Sequence, residues 1–197
     1  EKLAKQIFLN NLSESSVKLL LHCTTQRQVQ FAEIALGVLR SLARDAAQLS
    51  LMQRLLQTDR VVFEWLSNDS GDHPRMTELR LSLLASFAGV SMEDRVAVAL
   101  VGALELVVSS LRKYRASPRV LEQALRLLAN VALTTRSWPS SMRDEVVGLV
   151  LDTMSAHEAD GMLQTQVCGA IANLMIMDES AYQELLRHDL LDRLANT

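Results

Sequence analysis

Apolar residues recur three and four apart along almost the whole chain, with polar residues filling the positions between, which is the spacing of amphipathic helices. Four stretches share more than that period. They are Phe31-Ala-Glu-Ile-Ala-Leu-Gly-Val-Leu-Arg-Ser-Leu-Ala43, Leu79-Arg-Leu-Ser-Leu-Leu-Ala-Ser-Phe-Ala88, Leu121-Glu-Gln-Ala-Leu-Arg-Leu-Leu-Ala-Asn-Val-Ala132 and Val167-Cys-Gly-Ala-Ile-Ala-Asn-Leu-Met175. Aligned on Ser41, Ser86, Asn130 and Asn173, they step by 45, 44 and 43 residues. Leu42, Phe87, Val131 and Leu174 follow the anchor directly. Leu39, Leu84, Leu128 and Ile171 precede it by two, and Leu36, Leu81, Leu125 and Cys168 by five. These offsets lie along one side of a helix and predict its buried face. In that register Cys168 reads as a small buried hydrophobe.

Second helical segments lie between the four, at roughly Ile7–His22, Leu49–Leu66, Val96–Tyr114, Met142–Ser155 and Tyr182–Leu194. Polar runs separate them from the next helix in the chain: Ser67–Pro74, Arg115–Pro118 and His157–Gly161. Pro74 and Pro118 both precede their anchors by twelve residues, where a proline fits the first turn of a helix. Ser91-Met-Glu-Asp94 and Ser141-Met-Arg-Asp144 carry an acidic residue three after a serine and predict two helix N-caps. A helical chain with a period near 44 predicts stacked units, each burying its apolar face on the next.

Gly102-Ala-Leu-Glu-Leu-Val-Val-Ser-Ser-Leu111, a short polar turn and Ala124–Ala132 together resemble the second and third helices of an armadillo repeat. Gly169-Ala-Ile-Ala-Asn-Leu174 resembles another third helix. HEAT repeats are the close alternative, differing mainly in how the first helix is bent off. The resemblance implies an all-α, right-handed α-solenoid of about four repeats plus a partial fifth. One domain would span 1–197, with repeats near 1–43, 44–88, 89–132, 133–175 and part of one over 176–197. At the N-terminal unit, Ile7-Phe-Leu-Asn10 and Ile34–Leu39 faintly resemble the serum amyloid A-like proteins with armadillo-type repeats.

Composition narrows the function classes. Twenty basic against 23 acidic side chains give a formal charge of −3, with no clustered cationic footprint for nucleic acid. Seven Gly and three Pro leave little for the turns of an all-β fold. Two cysteines, Cys23 and Cys168, build no disulfide framework. No run of about 18 apolar residues would cross a membrane, and no signal-peptide h-region opens the chain. A cytoplasmic or nuclear protein is expected, neither secreted nor inserted in a membrane. The histidines, His22, His73, His157 and His188, have no partners at metal-ligand spacing, and His157-Glu158 lacks a second ligand at Gly161. There is no phosphate-cradling glycine loop and no Gly-x-Ser-x-Gly elbow. Asn11-Leu-Ser13 and Asn68-Asp-Ser70 match the glycosylation pattern in spelling only. No enzyme, cofactor or metal is expected.

In armadillo arrays the third helices line a concave binding face. The positions eleven, eight, four and zero before each anchor share that side. They read Gln30, Glu33, Gly37, Ser41; Arg75, Glu78, Ser82, Ser86; Arg119, Glu122, Arg126, Asn130; and Met162, Thr165, Gly169, Asn173. Gln166 borders the last set. The expected protein-binding residues are Glu33, Ser41, Glu78, Ser82, Ser86, Glu122, Arg126, Asn130, Gln166 and Asn173. The resemblance matches Asn130 and Asn173 to the asparagines that hold the main chain of a bound peptide, through one donor and one acceptor each. Equally, Arg75 with Glu78, Arg119 with Glu122, and Glu122 with Arg126 have the spacing to neutralise each other on a solvated face. Nuclear-import receptors of this family carry Trp four residues before each asparagine. Here those positions hold Arg126 and Gly169, so lysine-clamping aromatics are missing.

The function this implies is a non-enzymatic scaffold that binds another protein, or an extended segment of one, along the concave face. The alternative is a structural subunit that docks through its outer helices or its ends. Leu185, Leu190 and Leu194 form an apolar stripe on the last segment, so further repeats or a partner are expected at the C-terminal end.

Overall fold

The computed structural model describes residues 17–18, 22, 29–58, 60–67 and 73–177. The expectations for Ile7–Asn10, Cys23 and the Leu185–Leu194 stripe lie outside these. The described elements are all helical. They are α1 (Val29–Leu42), α2 (Ala46–Thr58), α3 (Arg60–Ser67), α4 (Pro74–Ala88), α5 (Met92–Leu100), α6 (Ala103–Lys113), α7 (Pro118–Val131), a 3-10 turn (Ala132–Ser137), α8 (Ser140–Ala156) and α9 (Gly161–Met177). The four anchored stretches fall on α1, α4, α7 and α9. These pack in succession, α1 on α4, α4 on α7 and α7 on α9. The second helices flank them, α6 against α7 and α8 against α9.

The breaks have local causes. Pro74 and Pro118 open α4 and α7 in the first turn, where their missing N–H costs no helical bond. Ser91 caps α5, its hydroxyl accepting from the Asp94 N–H at 3.1 Å and donating to Oδ2 of Asp94 at 2.7 Å. Ser141 does not cap: α8 begins one residue earlier, after Pro139, and places Ser141 inside the first turn, exposed. Two segments expected as single helices are split. Val96–Tyr114 breaks between α5 and α6 at Gly102, whose φ of 91° is a conformation that glycine adopts at little cost. Leu49–Leu66 breaks between α2 and α3. Apolar spacing of three and four continues across both breaks, so the helical period alone predicts one helix at each.

The predicted core columns are buried: Leu39, Leu84, Leu128 and Ile171, then Leu42, Phe87, Val131 and Leu174, then Leu36, Leu81 and Leu125. The exception is Cys168, which is exposed. Helix α9 buries Leu163, Val167, Ala170, Ile171 and Leu174 instead, and its described neighbours are α7, α8 and the 3-10 turn. Leu36, Leu81 and Leu125 lie on third helices with another described third helix after them; Cys168 does not.

The C-terminal end of α4 is tied down by three other helices. Its last carbonyls have no partner within the helix. Gln53 Nε2 of α2 donates to Phe87 O at 3.4 Å, Arg95 Nε of α5 to Ala88 O at 3.0 Å, and Asn130 Nδ2 of α7 to Ala85 O at 2.9 Å.

Candidate functional site

The candidate face is built from the side of α1, α4, α7 and α9 that carries the anchors, a side that is half-buried or buried along α4. The two asparagines on it are oriented by the same contact. Asn130 Nδ2 donates to Ala85 O at 2.9 Å, and Asn173 Nδ2 donates to Ala129 O at 2.7 Å. Each amide thus reaches the carbonyl one residue before the anchor on the preceding third helix. An amide carries two N–H donors and a carbonyl acceptor. One donor is used in each case, and the remaining donor and the oxygen have no protein partner among the described residues.

The serines behave differently. Ser41 is exposed, and its hydroxyl donates to Gly37 O of its own helix at 3.0 Å. Ser86 is half-buried and donates to Ser82 O at 2.9 Å, while accepting from Arg126 Nη2 at 3.2 Å. Ser82 is buried, so it forms the floor of the face and offers no polar group to solvent.

The glutamate column divides. Glu78 is buried and held by two arginines. Arg75 Nη1 donates to both its oxygens at 2.8 Å, and Arg40 Nη1 reaches across from α1 to Oε1 at 3.0 Å. Glu33 is half-buried, 3.9 Å from Arg75 Nε. Glu122 is half-buried and accepts from its neighbour Gln123 at 3.2 Å. Arg119 is exposed, without an ion pair among the described residues. On α9, Thr165 is exposed and donates to Gly161 O at 2.8 Å, and Gln166 is half-buried.

Arg126 bridges repeats without a carboxylate. Its guanidinium donates to Ser86 Oγ across the helix boundary and to Gln123 Oε1 at 3.4 Å. The side chain keeps much of its surface, yet the guanidinium lies against α4 and is partly desolvated. Burial lowers its pKa from the ordinary value; Glu122 pulls it up, and the positive charges of Arg40 and Arg44 push it down. Arg40 and Arg44 were not among the expected site residues. Arg44 lies three residues after the Ser41 anchor, so continuing the stripe by one more step would have reached it.

No group of three His, Cys, Asp or Glu side chains converges among the described residues. No described helix is long and apolar enough to cross a membrane.

No protein-family model matches the chain, and no curated protein does. The resemblance to serum amyloid A-like proteins therefore finds no support. Solved structures do match in shape. A designed armadillo repeat protein aligns with a TM-score of 0.72 at 15% identity, covering 92% of this chain and 74% of its own. An engineered protein from a structural genomics effort aligns at 0.72 with 20% identity, covering 92% and 71%. A second designed armadillo repeat protein, solved in complex with the peptide (KR)4, aligns at 0.70 with 16% identity, covering 92% and 74%. The helix order and these neighbours agree: the fold is an all-α, armadillo-like solenoid.

Proposed function

We propose that this chain is a non-enzymatic scaffold that holds an extended segment of another protein along the face of α1, α4, α7 and α9. The observation that carries the reading is the repeated asparagine contact. Asn130 and Asn173, one in each of two consecutive repeats, are fixed by the preceding repeat and keep one donor and one acceptor without a partner among the described residues. Fixing the amides beforehand lowers the ordering cost when a main chain binds. Third helices pack about 8–10 Å apart and an extended chain advances about 3.3 Å per residue, so each repeat meets about two or three residues. A solved neighbour of the same shape holds a peptide, which is consistent with this use of the fold.

The test blocks the face without touching the core. Ser41→Trp with Thr165→Trp adds bulk at two exposed positions whose hydroxyls bond only their own helix. Crosslinked partners captured from extract by the unmodified chain should be lost by this variant, while its melting temperature is retained. Undiminished capture sinks the reading.

A second reading, docking through outer helices into a larger assembly, has its own observation. A groove of about 480 Å³ runs between α5, the 3-10 turn and the start of α8. It is lined by Met92, Val96, Leu100, Leu104, Trp138 and Met142 among others, and Leu100 is 78% exposed. Loss of capture by Leu100→Glu, with capture intact in the tryptophan variant, would move the interface to this groove.

A further inference from the structure

We infer that the segment held on this face is acidic, with an Asp or Glu carboxylate seated over α4 between Arg126 and the Arg40–Arg44 end of α1. The inference rests on the proposed groove and adds the chemistry of its occupant.

Charge is distributed unevenly over the molecule. The chain as a whole is −3, yet on and just beyond its third helices Arg40, Arg44, Arg75, Arg119 and Arg126 stand against Glu33, Glu78 and Glu122, and Glu78 already takes two of the five. The central glutamate, Glu78, is buried and already takes Arg40 and Arg75. It is therefore closed to a basic side chain from a partner. Arg44 is exposed and has no hydrogen bond or ion pair among the described residues. Arg126 spends its guanidinium on two neutral acceptors, Ser86 Oγ and Gln123 Oε1; Glu122 on the same helix offsets its charge more than Arg40 or Arg44 adds to it, yet makes no ion pair with it among the described residues.

The position of Arg126 matters as much as its charge. Ser86 of α4 holds it, so the guanidinium of the third repeat lies against the second. There the positive charges of Arg40 and Arg44 act on it; Arg40 is itself paired with Glu78, whereas Arg44 has no partner among the described residues. A guanidinium carries five N–H donors, and a planar carboxylate can take two in parallel. A carboxylate placed here gains hydrogen bonds from Arg126 and Arg44 and relieves the repulsion between their charges. The approach is open: Ser41 and Ser86 are small, and a Cβ added at Gly37 would meet nothing within 4 Å. The solved neighbour that carries (KR)4 thus shares the shape of this chain, while the charges here favour the opposite ligand.

The experiment compares two fluorescein-labelled octapeptides by anisotropy at low salt, (Asp-Glu)4 and (Lys-Arg)4. The overall charge of −3 repels the first and attracts the second, so a preference for the first reports the local face. We expect (Asp-Glu)4 to bind about tenfold tighter than (Lys-Arg)4, and to weaken steeply with added salt. Arg44→Gln with Arg126→Gln should remove about tenfold of that affinity, and Arg44→Glu with Arg126→Glu should exchange the preference. Equal or tighter binding of (Lys-Arg)4 overturns the inference, as does (Asp-Glu)4 binding that the glutamine variant leaves unchanged, or binding of neither peptide. None of these outcomes touches the groove itself, which is judged by partner capture in the tryptophan variant. Binding of (Lys-Arg)4 abolished by Ser41→Trp would keep the groove and discard the acidic occupant.

Discussion

Helices α4 and α9 hold equivalent places in the repeat series, yet they meet their surroundings differently. Of the 15 residues of α4, 12 are buried, including Thr77, Glu78, Arg80 and Ser82. Helix α9 is the more apolar by sequence, but Cys168 and Gly169 are exposed, and Met162 and Ile176 are 68% and 73% exposed. The difference lies in neighbours. Helix α4 sits between α1 and α7, whereas α9 packs, among the described elements, on α7, α8 and the 3-10 turn. Sequence period determines where the buried stripe begins; the number of packed neighbours determines how wide it grows. Widening that stripe brings polar groups inside, and those must find partners. Thr77 Oγ1 bonds Tyr114 at 3.3 Å, Glu78 takes two arginines, and Arg80 stacks 3.9 Å over the ring of Trp65.

The sharpest way to break this comparison uses two residues of one sequence column. Leu81→Ala and Leu84→Ala empty fully buried sites on α4 and should each cost about 2–5 kcal/mol, as should Leu128→Ala on α7. Cys168→Ala, in the column of Leu81, should change stability by less than about 0.5 kcal/mol. Urea midpoints of the four variants decide it. Similar losses at Leu81 and Cys168 would mean that α9 is buried as deeply as α4.

The glutamate column offers the next contrast. Glu78→Gln keeps the shape but removes the charge that Arg40 and Arg75 share, and should cost about 1–3 kcal/mol. Both arginines are partly exposed, which favours the lower half of that range. Thr165→Ala at the same offset on α9 should be nearly silent, since its hydroxyl only bonds back along its own helix. Equal effects in thermal melts would deny that the α4 carboxylate is structural.

Much of the fold was legible because one stripe of apolar residues repeats at a nearly constant step, and burial tracks it at eleven of the twelve positions in the three core columns. The helix starts at Pro74, Ser91 and Pro118 were legible too, since each acts on its own first turn. The features that escaped depend on distant chain or on backbone geometry. The exposure of Cys168 depends on which helices pack against α9, and the break at Gly102 on its backbone angle. The candidate face was legible as a set of positions but not as a set of bonds. Its spacing suggested Arg75 with Glu78, and the structure has that pair. The cross-repeat partners, Arg40 for Glu78 and Ser86 for Arg126, lie 38 and 40 residues away, beyond any helical rule.

The asparagines set a limit to the contrast between α4 and α9. Asn130 and Asn173 both bond backward, to the preceding third helix, so the neighbour on the other side should not matter. Asn130→Ala and Asn173→Ala should each cost about 0.5–1.5 kcal/mol, and by similar amounts. The carbonyls of Ala85 and Ala129 should then exchange a side-chain donor for water. A much smaller cost at Asn173, read from chemical denaturation, would show that even this backward contact weakens along the array.

The smallest effect concerns the thiol that the repeat pattern places in the core. A buried cysteine reacts slowly with disulfide reagents because the thiolate must form in an apolar site and the reagent must reach it. Cys168 is exposed, so the reagent can reach it. In a Cys23→Ser background, one thiol per chain should react with Ellman's reagent under native conditions, at a rate close to that of the urea-unfolded chain. The melting temperature of the labelled protein should stay within about 1–2 °C, since no packed contact is lost. Protection by a factor of a hundred or more would mean that Cys168 is covered in solution. Its column would then be buried in all four repeats, and the contrast between α4 and α9 would shrink to the polar residues alone.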